Sequence, residues 1–220
     1  MTNTILIVLE VIVSLTALFI LAKKYKTDGI YVYGIIATIL SCIIGLKKIS
    51  IIDISIPLGF GLTTSLIIGG NIITQKRGPE AIKTYLILIL VTFLISCCFI
   101  NLSVFIEDSN YNYFANKSYN YIFTLNIKYY LGLIISLITS IWISSKLYYL
   151  LKRTQNKIIL SNIFSIIIVE FIENIIFVTI TYISEYKPVD IALCIVFRYT
   201  IKTIIGLFGT IPLYITNKSN

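Results

Sequence analysis

The chain of 220 residues contains no histidine, and cysteine is scarce. Without histidine, neither a histidine-based catalytic triad nor a histidine-ligated metal site can be built. No nucleophile–base pair and no G-x-x-x-x-G-K-(S/T) stretch for nucleotide hydrolysis can be read from the sequence. We therefore predict no enzymatic activity, no metal site and no cofactor. The cysteines lie in apolar runs without zinc-site spacing, and we interpret them as small packing residues: Cys42, Cys97, Cys98 and Cys194.

Charge is also scarce, because only 13% of the residues are charged while 57% are hydrophobic. A soluble domain of this size carries about a quarter charged residues. The mean hydropathy is +0.92, and the apolar residues fall in long runs that no amphipathic helix pattern produces. These features predict an integral membrane protein that forms a single domain over residues 1–220. The net charge of +8 comes from short basic clusters between the runs, so we expect a lipid bilayer as the partner and no nucleic acid.

Seven apolar runs predict an all-α fold, a polytopic membrane helix bundle with about seven (six to seven) transmembrane helices. A bilayer core is spanned by about 20 apolar residues in a helix, and the runs lack the alternation of a β-barrel. The first run has no basic region before it and no small-residue cleavage site after it, so we expect it to be retained. The runs cover residues 5–22, 30–46, 54–74, 84–105, 129–151, 158–183 and 190–215.

The distribution of basic residues predicts the orientation in the cell membrane. The odd-numbered connections and the C-terminal tail carry ten basic residues, whereas the even-numbered connections carry five. Because the cytoplasmic side holds the excess, the N-terminus is predicted outside and the C-terminus in the cytoplasm. The long connection 106–128, rich in tyrosine and asparagine, is then expected to lie outside as an interfacial segment.

Ionisable residues occupy the middle of the last two runs. Glu170, Glu173 and Asn174 share one helix face, and Arg198 and Lys202 share a face of the next run. Such residues are costly inside a membrane unless they are paired or line a polar cavity. Two interpretations stay open and are compatible. The residues form a buried ion-pair lock between two helices, or they line a midplane cavity that binds a hydrogen-bonding solute.

Other polar positions in the runs are weaker candidates. Asn71 and Gln75 share a face just after Gly69–Gly70, where an interrupted helix could build a transporter site or where small residues could let helices approach closely. We expect a structural role for Glu10, which lies near the outer end of its run. The same holds for Lys146, which can reach the cytoplasmic interface.

Four stretches of the chain resemble motifs of one known protein family. Residues 57–83, PLGFGLTTSLIIGGNIITQKRGPEAIK, are similar to a stretch from a Leu-Gly pair to D-I-L-(T/S)-E-x-Y-G-K-K-x-A-x-K. Residues 158–180 are similar to L-W-L-R-N-N-x-S-T-x-x-S-Q-x-x-D-T-x-I-F, and residues 197–215 to T-Y-x-x-K followed by D-T-P-x-x-Y. A weaker likeness starts at Lys128, where the pattern has arginine followed by S-Q-x-x-D. The chain thereby resembles the queuosine precursor transporter family, multi-pass proteins implicated in uptake of 7-deazaguanine bases, over about residues 25–215.

The resemblance implies a substrate-binding site and the chemistry of its ligand. Glu170 and Glu173 stand where the family has glutamine and aspartate facing the transport pathway. A planar deazapurine offers an amide-like edge and an exocyclic amine to carboxylates, while arginine or lysine can donate to its carbonyl oxygen. With the polar positions above, the implied site comprises Asn71, Gln75, Lys128, Glu170, Glu173, Asn174, Arg198 and Lys202.

The sequence thus predicts a membrane transporter for uptake of a small solute, implied by the resemblance to be a 7-deazaguanine queuosine precursor or a related nucleobase. One alternative is the substrate-binding membrane subunit of an energy-coupled transporter. Another is a degenerate paralogue without transport activity, since several polar positions differ from the family pattern. The oligomeric state stays open, with a homo-oligomer among the alternatives.

Overall fold

The computed structural model describes residues 2–51, 54–106, 113–123, 127–155 and 157–218. Long helices dominate these residues, together with one two-stranded antiparallel hairpin and a short 3-10 turn at Pro79–Ala81. In chain order the elements are α1 (Thr2–Ile44), β1 (Lys48–Ile51), β2 (Ile54–Pro57), α2 (Phe60–Arg77), α3 (Ile82–Val104), α4 (Tyr113–Phe123), α5 (Ile127–Gln155), α6 (Ile158–Tyr182) and α7 (Pro188–Lys218).

Helix α1 contains the first two predicted runs, separated by a sharp turn at Lys26. The backbone of Lys26 has φ 53° and ψ −130°, which is not helical. A side-chain carbon at Gly29 would overlap the carbonyl oxygen of Leu21, although eight residues of straight helix would separate the two by about 12 Å. The chain therefore folds back here, and we refer to the residues before and after Lys26 as the first and second halves of α1.

The third predicted run, 54–74, is not one continuous helix, and this part of the prediction is wrong. Ile54–Pro57 forms β2, which pairs with β1, and α2 begins at Phe60. Pro57 has no backbone N–H, and Gly59 adopts φ 97°, so neither fits a continuing helix. The alternation of isoleucine and serine in KISI and ISIP is a period-two strand signal; ISIP opens the predicted run, and KISI lies in the connection before it.

Helix α2 lies at the centre of the bundle and contacts α1, α5, α6 and α7. Every residue from Phe60 to Thr74 is buried. Side-chain carbons added at Gly69 or Gly70 would press on Tyr85 and Ile141, and α2 continues through both glycines without a break. Of the two interpretations of the Gly-Gly pair, close helix approach is therefore the one that fits.

Five helical stretches among the described residues are long and apolar enough to cross a membrane. Many of their large apolar side chains are exposed on the outside of the bundle, as expected for surfaces that face lipid. The polytopic helical bundle is therefore confirmed, and the prediction of about seven transmembrane helices stays a prediction. The stretches are Leu6–Ile44, Pro79–Val104, Ile127–Gln155, Ile158–Tyr182 and Pro188–Ile211.

Side-chain contacts define the two ends of the bundle. At the hairpin end, Lys48 lies 3.9 Å from Glu185 in the turn between α6 and α7, and Lys128 donates to Ser184 in the same turn. At the opposite end, Arg77 pairs with Asp28 just after the turn in α1, at 3.4 Å. The helices therefore run alternately between the two ends.

Helix α4 lies within the connection predicted to be interfacial. Its residue Tyr119 shares a 2.6 Å hydrogen bond with Ser103 of α3, while Phe114 and Tyr121 are strongly exposed. Apolar rings next to asparagine and lysine give the amphipathic composition of a segment at a membrane surface. Residues 107–112 and 124–126 of this connection lie outside the described residues.

Candidate functional site

Lys202 of α7 lies between the two glutamates of α6. Its Nζ is 3.1 Å from Glu170 Oε2 and 2.7 Å from Glu173 Oε2, and all three side chains are 0% exposed. Glu170 is at the middle of α6, twelve residues from either end, and Lys202 is near the middle of α7. The spacings of three and four residues place these groups on facing sides of adjacent helices.

Arg198 lies one turn from Lys202, toward the hairpin end, and is held less tightly by the carboxylates. Its Nη2 is 3.8 Å from Glu173 Oε1, whereas its Nε donates to Asn174 Oδ1 at 3.0 Å. The carbon of its guanidinium group also lies 4.2 Å from the ring centre of Phe177 and 5.5 Å from that of Phe60. These contacts are within the range of cation–π attraction.

We call Glu170, Glu173, Arg198 and Lys202 the charged cluster; its two acids and two bases balance. Two hydroxyls complete the shell, because Thr64 donates to Glu170 Oε1 at 2.8 Å and Ser136 to Glu173 Oε1 at 3.4 Å. A buried ion that lost its partner would destabilise the fold by about 3–5 kcal/mol. The cluster therefore joins α6 and α7 through mutually dependent charges, and the two hydroxyls connect it to α2 and α5.

A second group of buried polar residues carries no charge. Asn71 donates to Asn162 Oδ1 at 2.8 Å and to Ser165 Oγ at 3.3 Å. Ser144 donates to Asn71 Oδ1 and Asn162 donates to Thr210 Oγ1, both at 3.0 Å. These five residues, which we call the amide cluster, come from α2, α5, α6 and α7. Because each amide has partners on other helices, the cluster holds four helices together.

The two clusters are separate along the bundle. Asn71 follows Thr64 by seven residues of α2, about 10 Å along the helix, toward the opposite end. Gln75 lies one turn farther and accepts a 2.9 Å hydrogen bond from Tyr148. The predicted site residues thus divide into a charged group and a neutral group that lie on the same helices at different depths.

Three ionisable residues that the sequence analysis considered lie away from both clusters. Lys128 is exposed at the hairpin end, where it contacts Ser184. Lys146 is exposed, with its Nζ 3.7 Å from the ring centre of Trp142. The carboxylate of Glu10 lies beside Gly61, in the first turn of α2, where the helix dipole favours a negative group.

A small cavity separates the charged cluster from the hairpin. Its volume is about 10 Å³, which has room for about one water molecule. Phe60, Tyr129, Phe177 and Arg198 are among its lining residues, and we call it the aromatic cavity. The rings of Tyr129 and Phe177 meet edge to face at 5.9 Å, and Tyr129 donates to the carbonyl of Ser41. Arg198 is the member of the charged cluster that borders this cavity.

Sequence reasoning did not single out the hydroxyls and rings around the charged cluster. Thr64 and Ser136 look like ordinary small polar residues in apolar runs, and Phe60 and Phe177 are two of twelve phenylalanines. Thr64 lies seven residues before Asn71, so the two residues share a helix face. This spacing is a weak indication that Thr64 belongs to the same buried polar face as Asn71. Nothing local distinguishes the phenylalanines that contact Arg198 from those that face lipid.

Comparison with known proteins identifies a family for the chain. The sequence profile of a family described as "Putative vitamin uptake transporter" matches residues 57–216, which are 160 of the 220 residues. The chain belongs to this family. No curated protein and no solved structure matched the chain.

The vitamin uptake transporter match begins at Pro57 and ends in α7, so it includes every residue of both clusters. The apolar helices and the family together establish a multi-pass membrane protein of a small-solute uptake class. Among the described residues, no group of three or more acidic or cysteine side chains is placed to hold a metal ion. Ion pairs and hydrogen bonds within the transporter account for the carboxylates of the charged cluster.

Proposed function

We propose that the chain takes up a small hydrogen-bonding solute through the charged cluster, and that the solute is a 7-deazaguanine queuosine precursor or a related nucleobase. The observation that carries the proposal is a balanced set of four ionisable side chains at the middle of the bundle, next to the aromatic cavity. Ionisable residues at this depth are costly, and in membrane proteins they commonly mark a substrate pathway.

The donors and acceptors of the cluster suit a nucleobase. Glu173 and Glu170 can accept from ring N–H and exocyclic amine groups, and Arg198 can donate to a ring carbonyl oxygen. A neutral base adds no net charge to a cluster that is already balanced, so binding strands no ion. The identity of the base rests on the resemblance of residues 57–83, 158–180 and 197–215 to the queuosine precursor transporters.

A purely structural ion-pair lock between α6 and α7 is the competing interpretation. Variants that preserve the charge balance, and that remove a hydrogen-bond donor and an acceptor together, separate the binding-site interpretation from the lock interpretation. Glu170→Gln combined with Lys202→Met leaves Glu173 and Arg198 as a neutral pair, so the fold is expected to survive. A lock predicts normal uptake by this folded double variant, whereas a binding site predicts its loss.

The experiment measures uptake of radiolabelled 7-deazaguanine in cells that lack their own carrier. We expect uptake by the wild type and at least a tenfold reduction in the Glu170→Gln, Lys202→Met double variant at equal membrane abundance. Lys146→Met, at an exposed lysine outside both clusters, is the matched control and should retain uptake. Unchanged uptake by the double variant would remove Glu170 and Lys202 from the pathway. Uptake that depends on a co-purified ATPase would instead favour the binding-subunit alternative.

A further inference from the structure

The guanidinium group of Arg198 occupies an unusual position for a buried cation. Its distance to the nearest carboxylate oxygen of Glu173 is 3.8 Å, but its carbon lies only 4.2 Å from the ring centre of Phe177. Lys202, by contrast, is in close ionic contact with both glutamates. Arg198 is therefore the loosely paired member of the charged cluster, and an aromatic face is its closest neighbour on the cavity side.

The aromatic wall is braced from outside the charged cluster. Phe177 is 1% exposed and its ring meets Tyr129 edge to face with an interplanar angle of 87°. Tyr129 is in turn anchored by its hydrogen bond to Ser41 of α1. Phe60, at the start of α2, contributes a second ring near the same guanidinium group. The rings thus come from three helices, and those of Tyr129 and Phe177 are held by contacts that do not involve Arg198.

The remaining free volume of the cavity, about 10 Å³, holds one water and no organic ring. A guanidinium group is planar and stacks on aromatic faces, as an aromatic heterocycle does. If the guanidinium group leaves the ring of Phe177, the space that it vacates is flat, apolar on one side and bordered by hydrogen-bonding groups of Asn174 and Glu173. Such a slot is suited to a planar ring with polar edges.

We infer that Phe177 and Phe60 form a stacking subsite for a planar aromatic heterocycle, and that Arg198 occupies this subsite until the solute displaces its guanidinium group. The displaced group swings off the face of Phe177 while it keeps Glu173 as its ionic partner, and from there it can donate to a carbonyl oxygen on the edge of the solute ring. The inference rests on the proposed function, because it assigns the flat face of the proposed solute to particular residues. It adds Phe177 as a specificity-determining residue, since a non-planar solute gains little from an aromatic face.

The test measures equilibrium binding of flat bases to the purified full chain in detergent, by the shift in thermal unfolding temperature over a range of ligand concentrations. The probes are 7-deazaguanine and adenine as planar bases, and 5,6-dihydrouracil as a puckered ring with an amide edge. The variants are Phe177→Leu, which removes the aromatic face, and Phe177→Tyr, which keeps it. Phe93→Leu is the matched control, because Phe93 is a buried ring on α3 that does not line the cavity.

We expect 7-deazaguanine to bind the wild type, Phe177→Tyr and Phe93→Leu within threefold of one another, and Phe177→Leu at least tenfold more weakly. Dihydrouracil should bind all four proteins equally weakly. If Phe177→Leu does not fold, Phe60→Leu provides the same comparison with a smaller expected loss, because its ring is farther from the guanidinium group.

Other outcomes separate the subsite from the proposed function. Equal binding of 7-deazaguanine to the wild type and to a folded Phe177→Leu variant overturns the stacking subsite and leaves the proposed solute intact. Binding of adenine alone, with the same dependence on Phe177, supports the subsite and removes 7-deazaguanine as the solute. If neither base binds the wild type at millimolar concentration, the subsite is overturned.

Discussion

Lys202 is the residue on which the buried charge balance depends most strongly. Its ammonium group is within 3.1 Å of both glutamates, so its removal leaves two carboxylates with Arg198 as their remaining basic partner in the cluster. Lys202 also lies closer to Glu173 than Arg198 does, at 2.7 Å compared with 3.8 Å. Within the cluster the strength of pairing follows distance, and distance is set by how α6 and α7 meet.

At the residue scale we predict a large coupling energy between Lys202 and Glu170. Lys202→Met alone should lower the free energy of unfolding by about 3–5 kcal/mol, because it strands a buried carboxylate. Adding Glu170→Gln restores neutrality and should recover much of that loss. Thermal unfolding of the purified variants in detergent measures the double-mutant cycle, and strictly additive losses would contradict the pairing.

A double-mutant cycle with Arg198→Gln and Glu173→Gln should also show a stabilising coupling energy. We expect it to be smaller than the coupling energy between Lys202 and Glu170. Its two groups are 3.8 Å apart, compared with 3.1 Å for Lys202 and Glu170, and Arg198 retains its contact with Phe177. The double variant should be more stable than either single one, because no charge is left unpaired. A larger coupling here than in the first cycle would show that the arginine, not the lysine, holds the glutamates.

At the scale of elements, the turn in α1 and the end of α2 depend on two residues with positive φ. Lys26 adopts φ 53° with ψ −130°, a region that costs a residue with a side chain about 1–3 kcal/mol. Gly78, with φ 85°, ends α2, and no atom lies within 4 Å of the position that a side-chain carbon would take. A side chain at Gly78 would therefore meet no steric obstacle, and its cost would come from the backbone conformation.

We predict that Lys26→Gly raises the free energy of unfolding by about 1 kcal/mol, since glycine adopts this backbone conformation without strain. Lys24→Gly, two residues earlier in the helix, is the control and should lower it by about 1 kcal/mol. Gly78→Ala should lower the free energy of unfolding by about 1–3 kcal/mol, because alanine is strained at a positive φ. Thermal unfolding in detergent measures all three, and a loss of stability in Lys26→Gly would contradict the assignment of strain to this turn.

At the scale of the whole molecule, the ends of the bundle have an unequal share of basic residues, which predicts its orientation. Ten basic residues fall on the side of the odd-numbered connections and five on the other side. Helices that alternate between the hairpin end and the opposite end agree with connections that alternate across a membrane. We propose that the hairpin end, which also carries α4, faces outside.

Cysteine accessibility tests this orientation in a variant without the four native cysteines. A cysteine that replaces Ala115, in α4, should react with a membrane-impermeant thiol reagent added to intact cells. A cysteine that replaces Glu80, in the 3-10 turn at the opposite end, should react after the cells are opened. The reverse pattern would place the N-terminus in the cytoplasm and invert the direction proposed for solute uptake.

Amino-acid sequence alone determined the membrane location, the helical runs and the polar faces of α6 and α7. These properties are local: hydropathy needs a window of about 20 residues, and a shared face needs only the helix period. The hairpin had a local signal too, in the alternation of isoleucine and serine, but the length of the apolar run concealed it. Glu170, Glu173, Arg198 and Lys202 were therefore predictable as a set from their positions in the apolar runs.

Tertiary structure alone decided which faces meet and at what depth. The rotation of α7 against α6 places Lys202 between both glutamates, and the packing of α2 at the centre brings Thr64 to Glu170 and Asn71 to Asn162. It also separates Asn71 and Gln75 from the charges, and leaves Lys128 at the hairpin end. Such contacts join residues as many as 106 positions apart in the chain, and they depend on the fit of whole helices, which no local pattern encodes.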